Sequence, residues 1–223
     1  MNLPNKITLT RIFMIPVFVL FFYLDVMNGW NYLVAAIVFV LAAATDALDG
    51  HIARSRGLVT NLGKFLDPIA DKVLVSTALI LLLTRGIIFE VRFFEGWGLI
   101  VAGICVAVIL ARELIVSGFR MIAAERSLVI AADKLGKIKT TFQDASIVLI
   151  LAGTAFNYVP AGMVILIVGI FFFYICTVLT VVSGVNYIVK NKHVLRDSGA
   201  DSKQKPQNAE SSAEEKQSSE AQG

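Results

Sequence analysis

Four aspartates in two closely spaced pairs are the residues of this chain best suited to chemistry. Asp46 and Asp49 are three residues apart, and Asp67 and Asp71 are four apart. In an α-helix both spacings place the two members on one face. Two such helices side by side would gather four carboxylates, which persist near a membrane only when they are paired or metal-bound. Oxygen ligands without cysteine or a well-placed histidine predict two divalent cations, Mg²⁺ or Mn²⁺, rather than zinc.

The residues around these aspartates are suited to a bound phosphate ester. Gly50 and Gly63 would let a bulky anion approach the backbone. Ala53 shares a helix face with Gly50 and with Asp46, about two turns away, and a larger side chain there would intrude. Arg54 supplies a fixed cation for a phosphate. Each residue also has an ordinary explanation: the glycines as loop residues, Ala53 as helix packing and Arg54 as a membrane anchor. Their order within 26 residues nevertheless favours one binding motif. Paired carboxylates with two metals suit phosphoryl transfer.

The elements that must position these residues are expected to be membrane helices. Hydrophobic residues make up 57% of the 223-residue chain and charged residues only 17%, which makes an ordinary soluble domain improbable. We expect an all-α, polytopic membrane protein with six transmembrane helices and no nucleic-acid partner, since the net charge is only +3. The six apolar runs fall near residues 12–27, 31–45, 73–89, 97–111, 145–159 and 163–188.

Several of these runs are shorter than the roughly 20 residues that cross a hydrocarbon core. They are therefore either partly buried core helices or spans with one polar end buried among neighbouring helices. The charges favour the second interpretation, because alternating loops place 18 Lys and Arg on one side and only Arg85 and Arg92 on the other. Cytoplasmic loops carry the Lys/Arg excess, so we expect both termini and a polar cavity to face the cytoplasm.

The two ends of the chain are expected to differ. No small-x-small cleavage pattern follows Leu24, so the first apolar run is interpreted as a retained membrane helix. Residues 197–223 carry six acids and three lysines with no large apolar side chain, which predicts a disordered acidic tail after a membrane domain over 1–196. Cys105 and Cys176 lie in apolar runs and are expected to be buried, reduced thiols.

The motif D-x2-D-G-x2-A-R-x8-G-x3-D-x3-D resembles the signature of the CDP-alcohol phosphatidyltransferases, which are integral membrane enzymes with six transmembrane helices. The resemblance implies that Asp46, Asp49, Asp67 and Asp71 bind two divalent metals and that Asp71 also deprotonates the acceptor alcohol. It further implies CDP-lipid contacts from the residues around the motif and near the N-terminus. These are Asn5, Thr8, Gly50, Ala53, Arg54, Thr60 and Gly63. For Asn5 and Thr8, helix capping is a nearly equal explanation.

The opening residues 2–11, the stretch 111–120 and the segment 136–140 are most similar to bacterial members of this family whose acceptor is glycerol 3-phosphate. The resemblance runs from residue 1 to about 190 and implies CDP-diacylglycerol as donor, a multi-pass location in the bacterial cell membrane and a homodimer. Glycerol 3-phosphate is a dianion, so its site should offer further cations. The candidates are Arg112, Arg120, Lys137 and Lys139, each of which could instead be a membrane anchor or contact lipid head groups.

Other functions remain open at this point. An inositol phosphate acceptor would need a similar cationic cluster, whereas a serine acceptor would not. An intramembrane prenyltransferase also uses aspartate-rich segments with Mg²⁺. In that family the two segments lie far apart in a longer chain, whereas here they are contiguous. A cation carrier is a third alternative, although the aspartates cluster at one end of their spans instead of lining a path.

Overall fold

The structure is a computed structural model that describes residues 3–24, 29–56, 61–86, 96–125 and 134–191. Within these ranges the side chains of 3–8, 46–56, 61–68, 71, 122, 124–125, 134 and 191 lie outside the description. The described residues form six helices and no strand, so the all-α class is confirmed. The helices are α1 (Leu3–Tyr23), α2 (Trp30–Arg56), α3 (Asn61–Thr84), α4 (Gly98–Glu125), α5 (Lys134–Ala155) and α6 (Pro160–Asn191). The proposed tail, 197–223, lies outside the described residues.

The helices extend beyond the apolar runs at their polar ends. Helix α4 continues past Ala111 to Glu125, and α5 begins at Lys134, before its apolar run. In this polar part of α5, Lys139 and Gln143 are 1% and 4% exposed. Part of the polar end of α5 is therefore buried among neighbouring helices, whereas the crossing of a membrane by all six helices stays a prediction.

Consecutive helices run in alternating directions, as contacts at the two ends of the bundle indicate. At one end Tyr23 of α1 shares a 2.8 Å hydrogen bond with Thr84 of α3, and Trp30 of α2 packs against Phe156 after α5 at 5.7 Å between ring centroids. The first contact joins the last turns of α1 and α3, and the second joins the first turn of α2 to the end of α5. Asn31 Nδ2 of α2 donates to the carbonyl oxygen of Phe22 in α1 at 3.4 Å, so both contacts lie at the same end. The first residues of α1, α3 and α5 and the last residues of α2 therefore lie at the opposite end, which we call the polar end.

The core is apolar and is built from buried side chains of all six helices. Phe18 of α1 and Phe39 of α2 are almost fully buried and their ring centroids are 6.0 Å apart. Helices α5 and α6 approach each other closely at Gly153, where an added Cβ would lie 2.4 Å from the backbone nitrogen of Leu166. Since only a residue without Cβ permits this approach, Gly153 brings α6 against α5.

The outer surface of the bundle is strongly apolar. Phe13, Trp97 and Leu114 are each at least 67% exposed, and they belong to a long series of exposed large apolar side chains. Two stretches, Gly98–Met121 and Pro160–Lys190, are long and apolar enough to cross a membrane by length and composition. A soluble protein rarely exposes so much contiguous apolar surface. These features indicate a membrane protein.

Candidate functional site

The two aspartate pairs belong to neighbouring helices at the polar end. Asp46 and Asp49 lie in the last part of α2, and Asp67 and Asp71 lie in the first part of α3. The two helices contact each other and run in opposite directions, so both pairs lie at the same end of the bundle. Their side chains are outside the described residues, and their role as metal ligands stays a prediction.

The predicted CDP-lipid contacts also lie outside the described side chains. These are Asn5, Thr8, Gly50, Ala53, Arg54, Thr60 and Gly63. The backbone nevertheless tests the alternative of helix capping for Asn5 and Thr8. Helix α1 begins at Leu3 and includes both residues. Thr8 lies more than a turn inside the helix, where a side chain does not act as the N-terminal cap. Capping therefore does not explain Thr8.

A cavity of about 300 Å³ lies between α3, α4 and α5 at the polar end. All four predicted acceptor-phosphate residues line it, and Lys72 of α3 joins them. Among the described lining residues, five cations and one carboxylate, Glu113, give a net charge of +4: Lys72, Arg112, Glu113, Arg120, Lys137 and Lys139. Such a lining is complementary to a small, multiply charged anion.

The cavity adjoins the aspartate motif through the chain itself. Lys72, which lines the cavity, directly follows Asp71 in α3. Consecutive Cα atoms are about 3.8 Å apart. The backbone of the residue predicted to act as the base therefore lies next to the wall of the cavity.

Glu113 is the centre of an ion-pair cluster in the wall of the cavity. Its Oε1 accepts hydrogen bonds from Lys139 Nζ at 2.5 Å and from Arg112 Nη1 at 3.2 Å, and its Oε2 accepts one from Lys72 Nζ. The side chain of Lys139 is 1% exposed and that of Arg112 is 15% exposed. Because a buried charge is costly unless it is paired, these contacts explain how Lys139 is kept in the wall.

Helix α6 lies behind the cavity and holds the two arginines of α4. Arg112 Nη2 donates a 3.0 Å hydrogen bond to Ser183 Oγ. Arg120 lies over the ring of Tyr187, with its guanidinium carbon 5.9 Å from the ring centroid. Both arginines therefore line the cavity with their positions supported from α6.

The four predicted acceptor residues occupy two depths. Arg112 and Lys139 are largely buried, whereas Arg120 and Lys137 are exposed. Arg120 and Lys137 thus lie where an incoming anion meets the cavity first, and Arg112 and Lys139 lie further in. The eight-residue spacing of Arg112 and Arg120, about two helical turns, places both on the cavity side of α4, as expected.

Sequence reasoning did not assign a site role to Lys72, Gln143, Ser183 or Tyr187. A partial signal was present for two pairs, because Lys139 and Gln143 are four apart on α5 and Ser183 and Tyr187 are four apart on α6. Neither spacing tells which neighbouring helix the shared face meets. Cys176, expected to be a buried thiol, is buried behind Gln143, whose Oε1 lies 3.8 Å from its sulfur. Cys105 is also a free thiol but only partly buried.

Comparison with known proteins identifies relatives of this chain. A sequence model of the CDP-alcohol phosphatidyltransferases matches residues 1–182. The chain is 40% identical over 212 residues to the CDP-diacylglycerol--glycerol-3-phosphate 3-phosphatidyltransferase of Bacillus subtilis (strain 168), with 88% of this chain and 98% of the relative covered. Proteins of the same name from Rickettsia felis and Yersinia enterocolitica are 37% and 38% identical, with 83% and 84% of this chain and 93% of each relative covered.

The chain therefore belongs to the CDP-alcohol phosphatidyltransferase family. The resemblance inferred from the aspartate motif is confirmed, and the family model matches the chain from residue 1 into α6, as far as residue 182. Family membership favours a transferase over the alternatives of a prenyltransferase and a cation carrier.

Proposed function

We propose that this protein transfers the phosphatidyl group of CDP-diacylglycerol to glycerol 3-phosphate, giving phosphatidylglycerophosphate and CMP. The observation that carries the proposal is the cavity whose described lining has a net charge of +4 and includes Lys72, the residue after Asp71. Its five cations are complementary to the phosphate dianion of glycerol 3-phosphate, whereas a zwitterionic acceptor such as serine needs no such lining. The names of the relatives from three bacteria support the same acceptor.

The donor set of the motif fits two divalent cations. Four aspartates from two adjoining helices supply only carboxylate oxygens, which Mg²⁺ and Mn²⁺ prefer. When bound, such cations neutralise diphosphate oxygens and stabilise the charge that develops during displacement. We assign this role to Asp46, Asp49, Asp67 and Asp71.

In the proposed reaction, Lys72, Arg112 and Lys139 hold the phosphate of the acceptor in the cavity, and Arg120 and Lys137 bind it from the entrance. Asp71 takes the proton of the acceptor hydroxyl, whose oxygen attacks the phosphorus that carries the diacylglycerol. The bond from that phosphorus to the CMP oxygen breaks, and CMP leaves with the electron pair. Positioning the hydroxyl next to its base converts an encounter of two molecules into a step within one complex.

The CDP-lipid is assigned to the motif side of the site. Gly50, Ala53 and Gly63 leave space for its diphosphate, and Arg54 and Thr60 contact it, with Asn5 and Thr8 beside the nucleotide. The membrane setting completes the proposal, with six spans, both termini and the cavity on the cytoplasmic side, and a homodimer in the bacterial cell membrane. The excess of Lys and Arg at the polar end supports this orientation.

An acceptor panel tests the function. Purified protein in mixed micelles with CDP-diacylglycerol is given glycerol 3-phosphate, inositol phosphate, serine or no acceptor, each with Mg²⁺ and with Mn²⁺. We expect CMP release with glycerol 3-phosphate above all other acceptors. Faster release with another acceptor would refute the choice of glycerol 3-phosphate while keeping the reaction class, and no release with any acceptor would refute the class.

A further inference from the structure

Glu113 contacts three cations that come from three different helices. Lys72 belongs to α3, Arg112 to α4 and Lys139 to α5, and each donates to the same carboxylate. The side chain of Glu113 is 19% exposed. It is the one acid in the described lining of the cavity. A carboxylate at this place would repel the phosphate of a substrate, so its function needs another explanation.

The contacts of Glu113 divide between its two oxygens. Oε1 is shared by Arg112 and Lys139, and Oε2 accepts from Lys72. Each ammonium group has three donors and the guanidinium has five, so each cation keeps donors for a second acceptor after the bond to Glu113. Without the carboxylate, three like charges at close range would repel one another and the flexible lysine chains would separate.

We propose that Glu113 is the positioning residue of the acceptor site, which holds Lys72, Arg112 and Lys139 as one preformed phosphate-binding set beside Asp71. This inference rests on the proposed function and deepens it, because it names what organises the site for a phosphorylated acceptor. Glu113 acts through the three cations and does not touch the substrate. Its contact with Lys72 also ties the segment of α3 that carries Asp71 to the wall of the cavity.

The three cations do not depend on Glu113 equally. Arg112 has a second partner in Ser183 and packs against α6, where a Cβ added at Gly184 would lie 3.0 Å from Arg112 Cγ. For the ammonium groups of Lys72 and Lys139, Glu113 is the one hydrogen-bond partner within the described part of the chain. Loss of the carboxylate should therefore displace the two lysines more than the arginine, which weakens phosphate binding without removing every cation.

The test compares Glu113→Gln, which keeps the shape but removes the charge, with Glu113→Asp, which keeps the charge on a shorter side chain. Leu114→Ala is the matched control, because Leu114 is the next residue of α4 and is 70% exposed on the apolar surface. For each protein the KM for glycerol 3-phosphate, the KM for CDP-diacylglycerol, kcat and the thermal unfolding midpoint are measured. Binding of inorganic phosphate is measured by calorimetry without either substrate.

For Glu113→Gln we expect the KM for glycerol 3-phosphate and the Kd for inorganic phosphate to rise by about tenfold or more, as for loss of charge-assisted hydrogen bonds. The KM for CDP-diacylglycerol should stay within about twofold of the wild-type value, since Glu113 positions cations that bind the acceptor and not the CDP-lipid. Glu113→Asp should lie between Glu113→Gln and the wild type, and Leu114→Ala should match the wild type.

Several results would overturn the inference. An unchanged KM for glycerol 3-phosphate in Glu113→Gln would do so, as would equal increases in both KM values. If Glu113→Gln does not fold, a wild-type KM for glycerol 3-phosphate in Glu113→Asp overturns it instead. Failure of the proposed function gives a different result, because the wild type would then show no turnover with glycerol 3-phosphate. The Kd for inorganic phosphate, compared between Glu113→Gln and the wild type, would still decide the role of Glu113.

Discussion

Arg112 Nη2 lies 3.0 Å from Ser183 Oγ, and this hydrogen bond joins the cavity wall on α4 to α6. Ser183 Oγ also lies 3.2 Å from the carbonyl oxygen of Thr180, to which it donates. With its single proton used there, the hydroxyl oxygen is free to accept from the guanidinium. The orientation of Arg112 in the cavity is thus supported by α6 as well as by Glu113.

Replacing Ser183 with alanine should weaken acceptor binding. Arg112 would lose one charge-assisted bond, and we expect the KM for glycerol 3-phosphate to rise about 3- to 10-fold with little change in the KM for CDP-diacylglycerol. Steady-state kinetics in mixed micelles measures both. Ser146→Ala is the control, because Ser146 is a buried serine that donates to its own helix at Gln143 O. Equal kinetics for Ser183→Ala and Ser146→Ala would contradict the role of Ser183.

The contact between Arg120 and Tyr187 predicts a difference between two substitutions. Tyr187→Leu removes the aromatic face over which Arg120 lies and should raise the KM for glycerol 3-phosphate about 2- to 5-fold, as for loss of a cation–π contact. Tyr187→Phe keeps the face and should retain the wild-type KM. If the phenylalanine variant is affected as much as the leucine variant, the ring does not act through Arg120.

The close approach of α5 and α6 predicts a packing effect without a direct effect on the site. In Gly153→Ala the new Cβ would lie 2.4 Å from Leu166 N, so the helices must separate. We expect a loss of about 1–3 kcal/mol in the free energy of unfolding, seen as a lower thermal midpoint in detergent.

Gly103→Ala is the matched control for that substitution. Gly103 is also inside a helix, but no described atom lies within 4 Å of a Cβ added there. Alanine favours helix by up to about 1 kcal/mol over glycine, so this variant should be as stable as the wild type or more stable. A similar loss in both variants would show that the contact with Leu166 is not the cause.

The proposed base predicts a separation of binding from chemistry. Asp71→Asn should lower kcat by a factor of at least about 10² to 10⁴, the usual contribution of a general base. Binding of CDP-diacylglycerol, followed by calorimetry or by retention on CDP-lipid vesicles, should remain measurable because three aspartates are left. Turnover at the wild-type rate would refute the assignment of Asp71.

Removal of divalent cations should stop the reaction. Treatment with EDTA should abolish CMP release, and added Mg²⁺ or Mn²⁺ should restore it, since the four carboxylates need counter-charge to hold a diphosphate. A protein that keeps its activity in EDTA after exhaustive dialysis would contradict the proposed donor set. Restoration by Zn²⁺ alone would contradict the prediction from the oxygen ligands.

Much of the site could be predicted because it depends on local spacing. The separations of Asp46 from Asp49, of Asp67 from Asp71 and of Arg112 from Arg120 are set by the sequence, and helix geometry alone gives each pair a common face. The six helices were predictable for the same reason, since long apolar runs bounded by basic segments favour helices in a membrane. The family followed from the order of residues in the motif.

The partners of those residues could not be predicted, because they depend on which helices pack together. Glu113 is next to Arg112 in the sequence, but it also binds Lys72 from 41 positions earlier and Lys139 from 26 positions later. The same is true of the contact from Ser183 to Arg112. By itself the sequence determined the kinds of charge at the polar end. Only the tertiary structure decided that one carboxylate organises cations from three helices, since that depends on close packing between elements far apart in the chain.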